Sequence, residues 1–93
     1  MYGQNGKYSK LGRLISDETA KRLEEERKRL KPVKMTYQQL GEELDISDTN
    51  AMRILKTEHM LNIKQFIEMC MIFKIDPVEV FTEICGKHIR KKV

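Results

Sequence analysis

The chain of 93 residues contains no tryptophan, and aromatic residues make up only 6% of it. This scarcity argues against proteins that stack nucleobases on exposed rings, as single-strand and RNA-binding sheets do. The sequence also lacks an apolar run of the length that a membrane span requires. Its first ten residues are polar and glycine-rich, unlike a secretory signal peptide. We therefore expect a cytoplasmic protein with no membrane partner.

Cysteine is also scarce, with only Cys70 and Cys85, which form no Cys-x-x-Cys pair. A zinc site or redox motif is therefore not expected, and the sequence predicts two reduced thiols on buried helix faces. We find no nucleophile–base pair, no phosphate-binding glycine loop and no metal-ligand spacing in the sequence. These absences predict a protein with no cofactor, no metal and no enzymatic activity.

The sequence is rich in charged residues and in apolar residues at helical spacing. Charged residues make up 34% and hydrophobic residues 40%, at a length that suits one globular domain. The net charge of +4 permits a nucleic-acid partner without requiring one. Apolar residues recur at helical spacing in five segments, and no strand-like alternation is evident, so we predict an all-α fold. We expect a flexible basic N-terminal arm over 1–15, a helical domain over 16–86 and a basic tail over 87–93.

Local signals predict where the helices begin and end. The first helix should begin near Ser16 and stop before Pro32, because a proline disfavours helical backbone in the preceding residue. Gly86 should close the fifth helix. Four further residues are predicted N-caps of helices two to five: Thr36, Ser47, Asn62 and Asp76.

The fourth helix has the most apolar segment, so we predict that it is the central core helix. Its side chains expected in the core are Ile63, Phe66, Ile67, Cys70, Met71 and Phe73. The fifth helix should turn Val80, Phe81 and Ile84 inward. The methionines admit two interpretations, core filling or a ligand pocket or partner groove. His59 and His88 are isolated and expected to be exposed.

The segment YQQLGEELDISDTNAMRILK, residues 37–56, contains two short helices with only a tight turn between them. Gly41 is small and falls where these helices must cross closely. Apolar contacts that would fix their mutual angle come from Leu40, Leu44, Ile46, Ala51 and Ile54. A rigid pair that presents its second helix to a partner is the requirement of a helix-turn-helix.

The stretch from about Leu23 to Ile84 resembles the Cro/C1-type (XRE-like) helix-turn-helix family. The motifs that carry the resemblance are TYQQLGEELDIS, DTNAMRILK and NIKQFIEMCMIFKIDPVEVF. The chain departs from the family pattern in having Gly41 in place of the usual alanine and Asp45 in place of the turn glycine. Aspartate is able to adopt the left-handed conformation of such a turn.

Further departures concern the recognition helix. The family usually has a β-branched residue where this chain has Ala51. Members of the family often pair an acidic residue at the end of this helix with an arginine on the first helix. The corresponding position here is Leu55, so Arg27 is expected to lack that partner.

The resemblance implies a five-helix, lambda-repressor-like fold whose third helix enters the major groove of DNA. Arg53 is the residue expected to form bidentate bonds to guanine. Thr49 would contact a thymine methyl group or a phosphate, and Met52 would contact a thymine methyl group. Asp48 would either accept from a cytosine amino group or serve only the helix N-terminus. Phosphate contacts are expected from residues near the helix starts and after the recognition helix: Tyr37, Gln38, Ser47 and Lys56.

Charge is distributed unevenly for a DNA-binding protein. Residues 36–56 have a net charge of −2, with four acidic residues against Arg53 and Lys56. The positive charge lies mostly at the chain ends, so Lys7, Lys10 and Arg13 are predicted to contact phosphates. The alternative is that these ends only confer solubility.

These features predict a sequence-specific, double-stranded DNA-binding transcriptional regulator, most simply a repressor, that acts as a homodimer on a two-fold operator. Side chains that we consider for the dimer contact are Val78, Phe81, Ile89 and Val93. The alternative function is an antitoxin or protein-interaction module of the same fold, with a toxin or co-regulator as its partner.

Overall fold

The computed structural model describes residues 6–89, which form five α-helices and contain no strand. The helices are α1 (Ser9–Arg29), α2 (Tyr37–Leu44), α3 (Asp48–Leu55), α4 (Ile63–Phe73) and α5 (Pro77–His88). The all-helical prediction is therefore confirmed for this part of the chain. None of these helices is both long enough and apolar enough to cross a membrane.

Helix α1 begins at Ser9, so the prediction that it begins near Ser16 was wrong. Leu11 and Ile15 are partly buried and extend the apolar stripe of α1 toward its N-terminus at helical spacing. The glycines of the N-terminal segment obscured this signal. The first turns of α1 thus occupy residues that we assigned to the arm, and residues 1–5 lie outside the described chain.

The local capping signals were read correctly at the start of every later helix. A side-chain oxygen of each predicted N-cap accepts a hydrogen bond from a backbone N–H in the first turn: Thr36 from Gln39, Ser47 from Asn50, Asn62 from Gln65 and Asp76 from Val78. The helix C-termini were less predictable. Helix α5 continues to His88, so Gly86 does not close it.

The core collects buried side chains from all five helices. Its members are Ala20, Leu23, Leu40, Leu44, Ala51, Ile54, Leu55, Phe66, Met69, Cys70, Phe73, Val80 and Ile84. Helix α1 packs against α3, α4 and α5, and α2 packs against α3 and α4. Helix α3 packs only against α1 and α2 among the described helices, so its remaining surface is free to meet a partner.

Helix α4 is not buried on all sides, contrary to the prediction. Ile63, Ile67 and Met71 are 70%, 42% and 59% exposed, and Phe81 on α5 is 52% exposed. Helix α4 inserts one face into the core, and no helix within residues 6–89 covers the adjacent face. Met69 is fully buried and fills the core, but Met60 and Met71 are exposed, so core filling does not account for them.

Both cysteines are free thiols, as predicted. Cys70 is buried, and burial raises the pKa of its thiol to about 11. Cys85 is only half-buried, which corrects the expectation that both thiols are buried.

Two polar pairs join α5 to α1. Arg22 and Glu83 form an ion pair, and Nε2 of His88 lies 3.1 Å from Oε1 of Glu18. The neighbouring His88 holds the pKa of Glu18 below its usual value. His88 is therefore half-buried in the helix contact and not exposed as predicted, whereas His59 is exposed.

Candidate nucleic-acid interface

The connection between α2 and α3 is a sharp turn built on Asp45. Asp45 has left-handed backbone geometry, with φ 59° and ψ 44°, and its N–H donates to carbonyl groups of the last turn of α2. The N–H of Ile46 then donates to the carbonyl of Gly41 at 2.9 Å. These bonds close the C-terminus of α2 and allow Ser47 to begin α3 almost at once. The left-handed conformation expected of Asp45 is confirmed.

Gly41 is the point of closest approach between α2 and the turn. A β-carbon at this position would lie 2.7 Å from the carbonyl oxygen of Ile46 and 3.2 Å from the amide nitrogen of Asp48. Both neighbours are backbone atoms, so they are unable to swing away as a flexible side chain would. The predicted close crossing is therefore present, and glycine at this position permits it.

Helix α3 has one buried face and one exposed face. Ala51, Ile54 and Leu55 are buried against the core. Thr49 and Arg53 project from the opposite side and are exposed, and Met52 beside them is half-buried. We call the surface formed by Thr49, Met52, Arg53 and, just after the helix, Lys56 the α3 outer face. This surface is rigid because α2 and the turn hold α3 in place.

Arg53 is available to a partner. Its side chain is 47% exposed, and its Nε lies 4.0 Å from a carboxylate oxygen of Glu58, whose side chain is 63% exposed. An exposed ion pair at this distance contributes little stability, so a stronger acceptor could displace it.

The side chains of Asp48 and Ser47 bond backbone N–H groups at the start of α3. The carboxylate of Asp48 accepts a hydrogen bond of 2.8 Å from the N–H of Thr49, and the hydroxyl of Ser47 accepts one of 3.1 Å from Asn50. Asp48 thus supports the helix N-terminus, which favours the structural alternative over a base contact. Ser47 is exposed as well as capping, so its hydroxyl also faces solvent.

Tyr37, predicted to contact phosphate, belongs instead to a buried polar network. Its hydroxyl donates to the carboxylate of Glu24, and its ring stacks with the guanidinium of Arg27, 4.0 Å from the ring centroid. Arg27 also donates to both carboxylate oxygens of Glu24, at 2.8 and 3.1 Å, and to the carbonyl of Met35. Because Tyr37 begins α2, this network ties α2 and its preceding loop to α1.

The network gives Arg27 partners other than the acidic residue that the recognition helix lacks. Arg27 does not pair with α3, in agreement with the expectation, and its carboxylate partner is Glu24 on its own helix. Burial raises the pKa of Glu24, but hydrogen bonds from Arg27 and Tyr37 outweigh burial and hold it below the usual value. Burial, and the bond to Glu24, raise the pKa of Tyr37.

Sequence reasoning missed one polar residue of α3. Asn50 is exposed and lies one helical turn before Arg53. Its capping bond to Ser47 uses only its backbone N–H, so its amide side chain is available. An exposed asparagine on this helix is able to bond adenine in a bidentate manner.

The structure separates the predicted phosphate contacts into two groups. Gln38 and Lys56 are exposed on α2 and after α3. The second group consists of Lys7, just before α1, and of Lys10 and Arg13 in its first turns, and all three are exposed. Gly12, Ile15 and Ser16 of α1 share a groove with residues 61–63, so the first turns of α1 lie near the start of α4.

The acidic residues of α2 lie on its outer side. Glu42 and Glu43 line a groove together with Lys31 and Lys74, which lie after α1 and at the end of α4. Two of the four acids that make residues 36–56 negative thus have basic neighbours from other parts of the chain.

Comparison with known proteins identifies no relative. No family model, no curated protein sequence and no solved structure matches the chain.

Proposed function

We propose that this protein is a sequence-specific, double-stranded DNA-binding transcriptional regulator, of the repressor type, located in the cytoplasm. Helices α2 and α3 act as a helix-turn-helix in a lambda-repressor-like arrangement, and α3 enters the major groove. The observation that carries the proposal is the α3 outer face, a row of side chains able to contact base edges on a short helix held rigidly at the Gly41 crossing. A major groove about 12 Å wide accommodates one α-helix.

The side chains of α3 differ in the base edges that they are able to contact. Arg53 bonds the O6 and N7 acceptors of guanine, and Asn50 reads adenine. Thr49 and Met52 make apolar contact with thymine methyl groups. Gln38, Ser47 and Lys56 contact phosphates and set the register of the helix.

Phosphate attraction has to come partly from outside residues 36–56, whose net charge is −2. Lys7, Lys10 and Arg13 provide it from the first part of α1 if the duplex extends past the start of α4. One α3 reads few base pairs, so we propose a homodimer that places two recognition helices on a two-fold operator.

The deciding experiment is in vitro selection from random duplex DNA with three proteins: the wild type, Arg53→Ala and Arg29→Ala. Arg29 is an exposed arginine at the end of α1, so the control removes the same charge and side chain from another surface. We expect an enriched motif with wild type and Arg29→Ala. With Arg53→Ala we expect a loss of about 1–3 kcal/mol of discrimination at one guanine position.

The phosphate contacts are tested by the salt dependence of binding to the selected site. Replacing Lys10 and Arg13 by glutamine should flatten the slope of log affinity against log salt, by about 0.9 for each phosphate that is no longer neutralised. An unchanged slope would show that these side chains do not meet the duplex.

The acidic α2–α3 segment and the exposed apolar side chains of α4 favour a second candidate function, an antitoxin or protein-interaction module. This candidate predicts no enriched motif and at most weak, salt-sensitive DNA binding. A stable complex with a toxin or co-regulator would then be the expected finding.

A further inference from the structure

The chain turns back on itself directly after α3. The N–H of Thr57 donates to the carbonyl of Ile54 at 3.2 Å, and the N–H of Glu58 donates to the carbonyl of Arg53 at 2.8 Å. Thr57 has left-handed backbone geometry, with φ 65°. These two bonds around a left-handed residue form a Schellman motif, which closes the C-terminus of the helix.

The Schellman motif holds Glu58 beside Arg53. In this motif the residue after the left-handed position bonds the third residue from the helix end, and the side chains of these two residues frequently touch. Here the two residues are Glu58 and Arg53, and their side chains form an ion pair with 4.0 Å between a carboxylate oxygen and Nε. The backbone of the turn therefore brings the carboxylate to the arginine, so their meeting does not depend on two flexible side chains alone.

The ion pair does not use the donors at the end of the Arg53 guanidinium. Arginine presents five N–H donors in a planar fork, and a bidentate contact joins two of them to O6 and N7 of guanine. The contact with Glu58 is made by Nε, on the side of the guanidinium, so the terminal nitrogens Nη1 and Nη2 remain for the base. Guanine is therefore able to bond Arg53 without breaking the pair, weak as the pair is.

A weak ion pair is enough to orient Arg53. An exposed pair adds little to the stability of the fold. Arginine has many rotamers, however, and restricting them when a partner binds costs free energy. A carboxylate on one side of the guanidinium narrows the range of rotamers before DNA arrives. Less conformational entropy is then lost when Arg53 bonds guanine.

The same carboxylate opposes the attraction of the protein to DNA in general. Glu58 is exposed close to the α3 outer face, and phosphates repel a negative charge there whatever the base sequence. A residue that orients the side chain that reads guanine, and also weakens non-specific binding, raises the ratio of specific to non-specific affinity.

We propose that Glu58 is a specificity-determining residue, which orients Arg53 toward guanine through Nε and lowers the affinity for other sequences. Glu58 acts on the base only through Arg53, so it is a positioning residue. The inference rests on the proposed function, because it concerns how the α3 outer face reads DNA.

The test measures Kd for wild type, Glu58→Ala and Glu58→Gln on the selected duplex, on the same duplex with the guanine read by Arg53 replaced, and on a random duplex. A bidentate arginine–guanine contact changes Kd by roughly 5- to 150-fold between the first two duplexes. Glu58→Ala should lower this preference for guanine by about threefold or more and tighten binding to the random duplex by about twofold at low salt. Glu58→Gln loses the charge but keeps an oxygen that accepts from Nε, so it should tighten random binding equally and retain more of the preference.

Two controls separate the positioning of Arg53 from the loss of a charge. Glu43→Ala removes an exposed glutamate of α2 that lines the groove with Lys31 and Lys74. It should tighten binding to all duplexes and leave the preference for guanine unchanged. Adding Glu58→Ala to Arg53→Ala should not alter base preference any further. The bonds of the turn use only the backbone of Glu58, so we expect every variant to fold, as circular dichroism verifies.

An undiminished preference for guanine in Glu58→Ala would overturn the inference. An equal loss of preference in Glu43→Ala, or a further loss when Glu58→Ala is added to Arg53→Ala, would overturn it as well. A wild type that selects a motif, together with any of these results, refutes the role of Glu58 alone. A wild type that selects no motif refutes the proposed function and this role of Glu58 with it.

Discussion

Replacing Gly41 by alanine should destabilise the protein, although alanine is the better helix former. In an unobstructed helix the change stabilises by about 0.5–1 kcal/mol. At Gly41 the new methyl group would lie 2.7 Å from the carbonyl oxygen of Ile46, so α2 and the turn must move apart. Overpacking of this kind costs about 1–3 kcal/mol. We expect a net loss of about 1–2 kcal/mol, measured by urea unfolding followed by circular dichroism.

Gly12 and Gly86 provide matched controls, because both lie in helices and a β-carbon at either would meet nothing within 4 Å. Gly12→Ala and Gly86→Ala should each raise the free energy of unfolding by about 0.5–1 kcal/mol. For a domain of this size each kcal/mol corresponds to about 4–8 °C in Tm. If Gly41→Ala were as stable as Gly12→Ala, the close crossing of α2 with the turn would be refuted.

Two further predictions concern backbone strain and a buried charge. Thr57 has φ 65°, which is unfavourable for a β-branched residue, so Thr57→Gly should stabilise the protein by about 1 kcal/mol in the same urea assay; a lower Tm would contradict this. Glu24 has a lowered pKa, so its stabilising contribution is present above the pKa of an unfolded glutamate and lost as pH falls through the folded value. Glu24→Gln should lower the free energy of unfolding by about 3 kcal/mol at neutral pH and make that free energy fall less steeply as the pH is lowered. An unchanged pH dependence would exclude Glu24 as the cause of the fall.

Local chemistry was the most predictable part of the structure. Thr36 and Ser47 were recognisable as N-caps because a capping bond joins residues three apart in the chain. The left-handed turn at Asp45 and the close approach at Gly41 follow from the same short segment. The existence of the α2–α3 pair and the side chains of its outer face were therefore predicted from residues 36–56 alone.

Features that depend on distant parts of the chain were not predictable in the same way. The periodicity of Ile63 and Ile67 marks an apolar side of α4, but it does not say whether another helix exists to cover that side. The sequence showed that Arg27 lacks an acidic partner on α3, but it did not show that Tyr37 and Glu24 take that place. The spacing of apolar residues describes a single helix, whereas the burial of its apolar face depends on which other helices pack against it.

Among the described helices α3 packs against α1 and α2, and its buried side chains in the core are Ala51, Ile54 and Leu55. Thr49, Arg53 and their exposed neighbours therefore bear little of the folding free energy, and substitutions there should cost little stability. Substitutions of exposed residues on α4 and α5, such as Ile63 and Phe81, should likewise leave α3 in place. The molecule is thus suited to stepwise divergence, in which its exposed surfaces change one at a time on an unchanged core.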